Sequence, residues 1–123
     1  MEESHAPIDV DALFEQCMKD AEIVLIVLDK FERQLQTDLQ SLNGAMTASD
    51  AAAAGRTAHA LKGAAGAVAA TSLHAMSSAL EVLAKSGNIE AAAATLETLR
   101  TEIARCTSYL PVARQKISAR ALT

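Results

Sequence analysis

The sequence predicts an all-α fold, an up-down-up-down antiparallel four-helix bundle with a short extra N-terminal helix. Three observations carry this. Ala and Leu dominate, and the period-two Val/Ile/Thr alternation of strands is missing. Apolar residues recur at spacings of three and four in four long segments, so each segment has one buried face. The connections between these segments are short, which makes sequential helices antiparallel neighbours and leaves no room for a long crossover. At 123 residues, half of them hydrophobic, the chain reads as a single domain over 1–123 with a sizeable core.

The elements follow in order. Residues 1–7 are polar and read as a flexible terminus, with His5 incidental. Asp9 is placed to cap a short first helix that turns Val10, Leu13, Phe14 and Cys17 inward. A long helix is expected from about Asp20 to Asn43. Val24, Val27, Leu28, Phe31, Leu35, Leu39 and Leu42 form its stripe, and Gly44 is its C-cap. Thr47 or Ser49 is expected to cap the central helix, which starts with Ala51–Ala54 and ends near Ala69 or Ala70. Thr71 or Ser72 should cap the next, striped by Leu73, Met76, Leu80 and Leu83 and closed by Lys85 to Asn88. The last helix starts at Asn88 and repeats Ala92, Leu96, Leu99, Ile103, Cys106 and Leu110. Pro111 is expected to kink or end it. The helical core is thus 8–110, and 111–123 is a helix extension or a solvated tail holding Arg114, Lys116 and Arg120.

Charge and composition narrow the function. Net charge is −4, divided unevenly: residues 1–50 carry eleven acids and three bases, and residues 51–123 carry four acids and eight bases. The mild basic excess of the second part lacks the clustered Lys/Arg footprint of a nucleic-acid binder. The longest apolar run, Ile23–Leu28, is far too short to span a membrane. Residues 1–7 are acidic and carry no apolar signal segment, so a cytoplasmic protein is expected. Cys17 and Cys106 fall on apolar faces and read as two buried thiols.

Several chemistries lack their residues. There is no GxxxxGK[ST] loop or glycine-rich kinase loop, so no ATP-binding or kinase activity is expected. The Glu-x-x-His pairs of a bundle metal site do not occur, because Arg56 and Thr71 stand three residues before His59 and His74. His74 reads as a structural or surface residue. What remains is the central segment Ala58-His59-Ala60-Leu61-Lys62-Gly63-Ala64-Ala65-Gly66. The seam Ala54, Ala58, Leu61, Ala65 and Val68 turns inward, and His59 points outward. On the helical wheel its neighbours are Gly55, Arg56, Lys62, Gly63 and Gly66. Each helix-interior glycine costs about 1 kcal/mol relative to Ala, which suggests a use for a bare patch around the imidazole. A neutral imidazole is a nucleophile near pH 7 and can take up and release a phosphoryl group. Lys62 can offset the phosphoryl charge, and Arg56 can do so from the other side.

The same segment, followed by Ala70, Leu73, Leu80-Glu81 and Gly87, resembles the histidine-containing phosphotransfer (HPt) domain. The resemblance covers about residues 8–110. It implies that His59 is the phospho-accepting residue, Lys62 its charge partner, and Gly63 and Gly66 small docking positions. One departure is Ala69, where the family often has glycine; a slight change in the helix ending is expected.

The reading is a phosphorelay carrier in two-component signalling. His59 takes its phosphoryl group from a receiver-domain phospho-aspartate and passes it to another receiver. Partners are response-regulator receiver domains and/or a hybrid histidine kinase, met through Gly55, Arg56, Ala60, Gly63, Ala64, Gly66 and Ala67. No cofactor is expected on the chain itself, with magnesium on the partner receiver, and a monomer is the default because every stripe has an internal partner. Three alternatives stay open at this point: the phospho-accepting domain of a chemotaxis-type histidine kinase, a helical adaptor with an idle histidine, and, fitting less well, a kinase dimerisation domain.

Overall fold

The computed structural model describes residues 6–122, and the chain's expectations for His5 and the rest of 1–5 lie outside them. It contains five helices: α1 Val10–Gln16, α2 Ala21–Thr47, α3 Ala51–Ala67, α4 Thr71–Lys85 and α5 Ile89–Ala121. Strands are absent among the described residues. Helices α2 to α5 are joined by three-residue connections and pack in a ring, each against its sequence neighbours, with α5 closing on α2. The short α1 lies against α2 and α5. The core runs through the middle of the ring. Phe31, Leu28 and Leu35 enter it from α2, Leu61 from α3, Leu73 and Leu80 from α4, and Leu96, Leu99 and Leu110 from α5.

The helix starts are set by short polar side chains that bond the free first-turn amides. Asp9 Oδ1 accepts from Ala12 N at 3.0 Å and Asp20 Oδ1 from Ile23 N at 3.2 Å. Asp50 and Asn88 do the same for α3 and α5. The α3 cap is therefore Asp50, and not Thr47 or Ser49. Thr47 instead ends α2, its hydroxyl donating to the Asn43 carbonyl at 3.0 Å, and Ser49 takes a left-handed φ of +52° in the turn. Helix α2 runs through Gly44 without stopping, because Ala45 beyond it is buried. Neither Thr71 nor Ser72 caps α4: its N-cap is the buried Ala70, and no side chain bonds that end. Helix α3 stops at Ala67, before the expected Ala69 or Ala70, and Ala69 turns the chain with φ +58°.

The two ends of the chain depart most from expectation. Pro7 and Ile8 are buried, so the chain is packed before the first helix begins. Asp9 N donates to the Ala69 carbonyl at 3.0 Å, tying this entry to the α3–α4 turn. At the other end Pro111 does not end α5, which continues to Ala121. Pro111 stands on the exposed side, while Leu110, Ala113 and Ile117 stay in the core. Arg114 reaches Asp29 Oδ1 at 3.0 Å and Glu32 Oε1 at 2.6 Å on α2. Arg120 pairs with Asp11 and lies 5.1 Å from the centre of the Phe14 ring. The segment after Pro111 is thus docked on α1 and α2, not a solvated tail.

Both thiols are free and buried, and burial pushes Cys106 up to about 12. Among the described residues, no helix is long and apolar enough to cross a membrane.

Candidate functional site

Helix α3 is built mainly from alanine and glycine, and this brings it close to α4. Ala54, Gly55, Ala58, Leu61 and Ala65 are its buried residues. At Gly55 a Cβ would stand 3.6 Å from Ala84 Cβ and 3.7 Å from Lys85 Cγ, both on α4. A Cβ there would sit in ordinary contact with α4, so this part of α3 faces that helix closely. The outer side of α3 carries Arg56, His59, Ala60, Gly63, Gly66 and Ala67, all exposed.

His59 lies at the edge nearest α4. Its side chain is 67% exposed, and its Nδ1 is 2.8 Å from Glu81 Oε2. Glu81 is itself only 5% exposed. Three side chains meet its carboxylate: Lys62 Nζ lies 2.8 Å from Oε1, while Lys85 Nζ and His59 Nδ1 each lie 2.8 Å from Oε2. The Lys62 ammonium, then that of Lys85, holds the Glu81 carboxyl at about 2 against the desolvation that opposes ionisation, and His59 adds to the lowering. Glu81 is therefore an ionised, acceptor-only group, and the hydrogen on the His59–Glu81 bond belongs to Nδ1. In the neutral ring this leaves the Nε2 lone pair free, and that nitrogen is the available nucleophile.

Sequence reasoning placed His59 and Lys62 on one face and did not single out Glu81 as part of the site. The available signal was an acid one step off the Leu73–Leu80 stripe of α4, on the shoulder of a buried face. Its meeting with His59, 22 residues away, is a matter of how α3 and α4 pack.

The structure separates the residues expected to dock a partner. Gly55 is buried against α4, where it lines a groove between the two helices. Gly66 is exposed, but the His74 ring of α4 stands beside it, with Cδ2 3.5 Å from where its Cβ would be. Gly63 alone of the three faces open space. Ala60 and Ala67 are exposed, and Ala64 is half-buried against the core. From α2, Gln34 Nε2 donates to the Ala60 carbonyl at 3.4 Å, which brings a second neighbouring helix to the edge of this face. A groove also opens between the first half of α3 and the end of α4, lined by Ala52, Gly55, Arg56, His59, Ala84 and Lys85 among others. No group of three or more His, Cys, Asp or Glu side chains among the described residues is placed to hold a metal ion.

A family model described as the Hpt domain matches residues 26–108. Among solved structures the chain is similar to histidine-containing phosphotransfer protein B (HptB) from Pseudomonas aeruginosa PAO1, at 28% identity and a TM-score of 0.82, over 89% of this chain and 96% of that one. No curated protein matches the sequence. With two-thirds of its length matched by the family model and the bundle shared with HptB, the chain belongs to the Hpt domain family.

Proposed function

We propose that this chain is a phosphorelay carrier in which His59 Nε2 accepts a phosphoryl group from the phospho-aspartate of a receiver domain and passes it to a second receiver. The observation that carries this reading is the state of the ring: two-thirds exposed, with Nδ1 engaged by an ionised, nearly buried carboxylate. The Nε2 lone pair attacks phosphorus. The P–N bond forms as the acyl P–O bond breaks, and the receiver's aspartate leaves as carboxylate. Nδ1 keeps its proton, so the ring becomes a phospho-imidazolium, and the Glu81 carboxylate stabilises the positive charge that develops on it. Transfer onward is the reverse with a second aspartate.

Such a transfer needs the reacting atoms at about 3–3.5 Å, and the small residues at Ala60, Gly63 and Ala67 leave room for that approach. The magnesium ion and the acids that bind it are assigned to the receiver. The partners are receiver domains, free or within a hybrid histidine kinase, and the chain acts as a cytoplasmic monomer.

The test is incubation of the purified chain with radiolabelled, phosphorylated receivers. Label should appear on the wild type, be lost in acid and survive alkali, and His59→Gln should reduce it to background. Persistent label on His59→Gln, or alkali-labile label, sinks the assignment. Label obtained only from a kinase ATP-binding domain with ATP points instead to the chemotaxis-type arrangement.

A further inference from the structure

Two ammonium groups share the Glu81 carboxylate, but they are not equivalent. Lys62 is the enclosed one, 29% exposed, on Oε1, the oxygen that His59 does not use. Lys85 is 68% exposed and sits in the last turn of α4. It occupies Oε2, the same oxygen that holds His59 Nδ1, so its ammonium is within two hydrogen-bond lengths of the ring. Lys85 also lines the groove that His59 lines, and Lys62 does not. The Lys85 stem runs beside α3 at Gly55, its Cγ 3.7 Å from where a Cβ would stand, an ordinary packing distance.

We propose that Lys85 is the cation that meets the phosphoryl group on His59, while Lys62 is a positioning residue that keeps Glu81 on the ring. This rests on the carrier reading above and gives to Lys85 a role that the sequence places first on Lys62, with Arg56 on the other side. A phosphoryl group on Nε2 brings nearly two negative charges and strong acceptor oxygens to the mouth of the groove. Lys85 can leave Oε2 for them, exchanging one charge-assisted hydrogen bond for another, and an exposed lysine stem gives up little packing in doing so. Glu81 is not stranded by this departure, because Lys62 still holds Oε1 and Nδ1 still donates to Oε2. The converse fails. If Lys62 moved to the phosphoryl group, the nearly buried carboxylate would lose the partner on Oε1.

The experiment uses phosphoramidate as a small-molecule donor, which removes any contribution of partner docking. Its P–N bond breaks, ammonia leaves, and the phosphoryl group is taken by Nε2. Occupancy of His59 is read by 31P NMR, and the ring's protonation pattern by 15N–1H correlation spectra. Lys85→Gln should lower occupancy at fixed donor by about three- to fivefold, the scale of one exposed charge pair, and leave the ring spectrum of the unphosphorylated protein unchanged. Lys85→Arg should restore occupancy. Lys62→Gln should change the ring spectrum, because Glu81 loses its anchor. Wild-type occupancy in Lys85→Gln overturns the proposal, as does a fall in Lys62→Gln with an unaltered ring spectrum. Failure of the wild type to label at His59 removes the carrier reading itself, a result separable from either of these.

Discussion

The Glu81 carboxyl titrates at about 2 in the folded chain, against 4.5 for an ordinary glutamate. An acid lowered on folding adds stability that is fully present above its unfolded value and is withdrawn as pH falls through the folded one. The affected window is therefore about pH 4.5 down to about 2. Urea unfolding across that window should show the wild type losing more stability than Glu81→Gln, and parallel losses would mean that the carboxylate is not held as described. Gly63 gives a second test at the same scale. A methyl group there meets nothing within 4 Å, so Gly63→Ala should gain about 0.5–1 kcal/mol from helix propensity alone. On the carrier reading proposed above, the same methyl group projects into the space that a receiver must enter. Transfer from a phosphorylated receiver should slow by about tenfold while the melting temperature rises, since small misplacements of reacting atoms are costly. A stabilised variant with unchanged transfer would remove Gly63 from the docking surface.

The α3–α4 connection shows how an element ends when its sequence is not ideal for the task. Ala70 N bonds back to the Ala65 carbonyl at 2.9 Å, which requires the left-handed conformation that Ala69 adopts at φ +58°. An L-residue with a Cβ pays about 1 kcal/mol or more for that conformation, and glycine does not. Ala69→Gly should therefore stabilise the fold by about 0.5–1 kcal/mol, net of the greater freedom of glycine in the unfolded chain. Thermal denaturation reads this directly, and a lower melting temperature would refute it. The change should leave labelling of His59 untouched. The family's frequent glycine at this position, noted from sequence as a small matter of helix ending, corresponds in this chain to a strained turn. That turn's carbonyl also accepts the Asp9 amide, so it joins α1's entry to the bundle.

For the molecule as a whole, the length of α5 decides how the ring closes. A proline inside a helix removes one backbone hydrogen bond and costs about 3 kcal/mol. Here the burial of Ala113 and Ile117 beyond it, together with the Arg114 and Arg120 ion pairs, offsets that penalty and carries the helix on to Ala121. Ile117 is fully buried, so Ile117→Ala should cost about 3 kcal/mol, from lost transfer energy and the cavity left behind. A solvated tail would give a change near zero. Urea titration separates the two cases.

What the sequence determined by itself is what local spacing encodes. Residues three and four apart share a helix face whatever lies opposite, so the helices, the inward seam of α3 and the outward direction of His59 were legible without a fold. Helix ends were less so, because Thr47, Ser49, Asp50, Thr71 and Ser72 are all able to cap and only the path of the chain selects among them. Tertiary structure decided what faces what. It set Glu81 against a histidine 22 residues away, covered Gly55 and left Gly63 open, placed His74 beside Gly66, and held α5 together past Pro111. Each of these depends on the close approach of separate helices and on burial summed over the whole interface, quantities that no short window of residues contains.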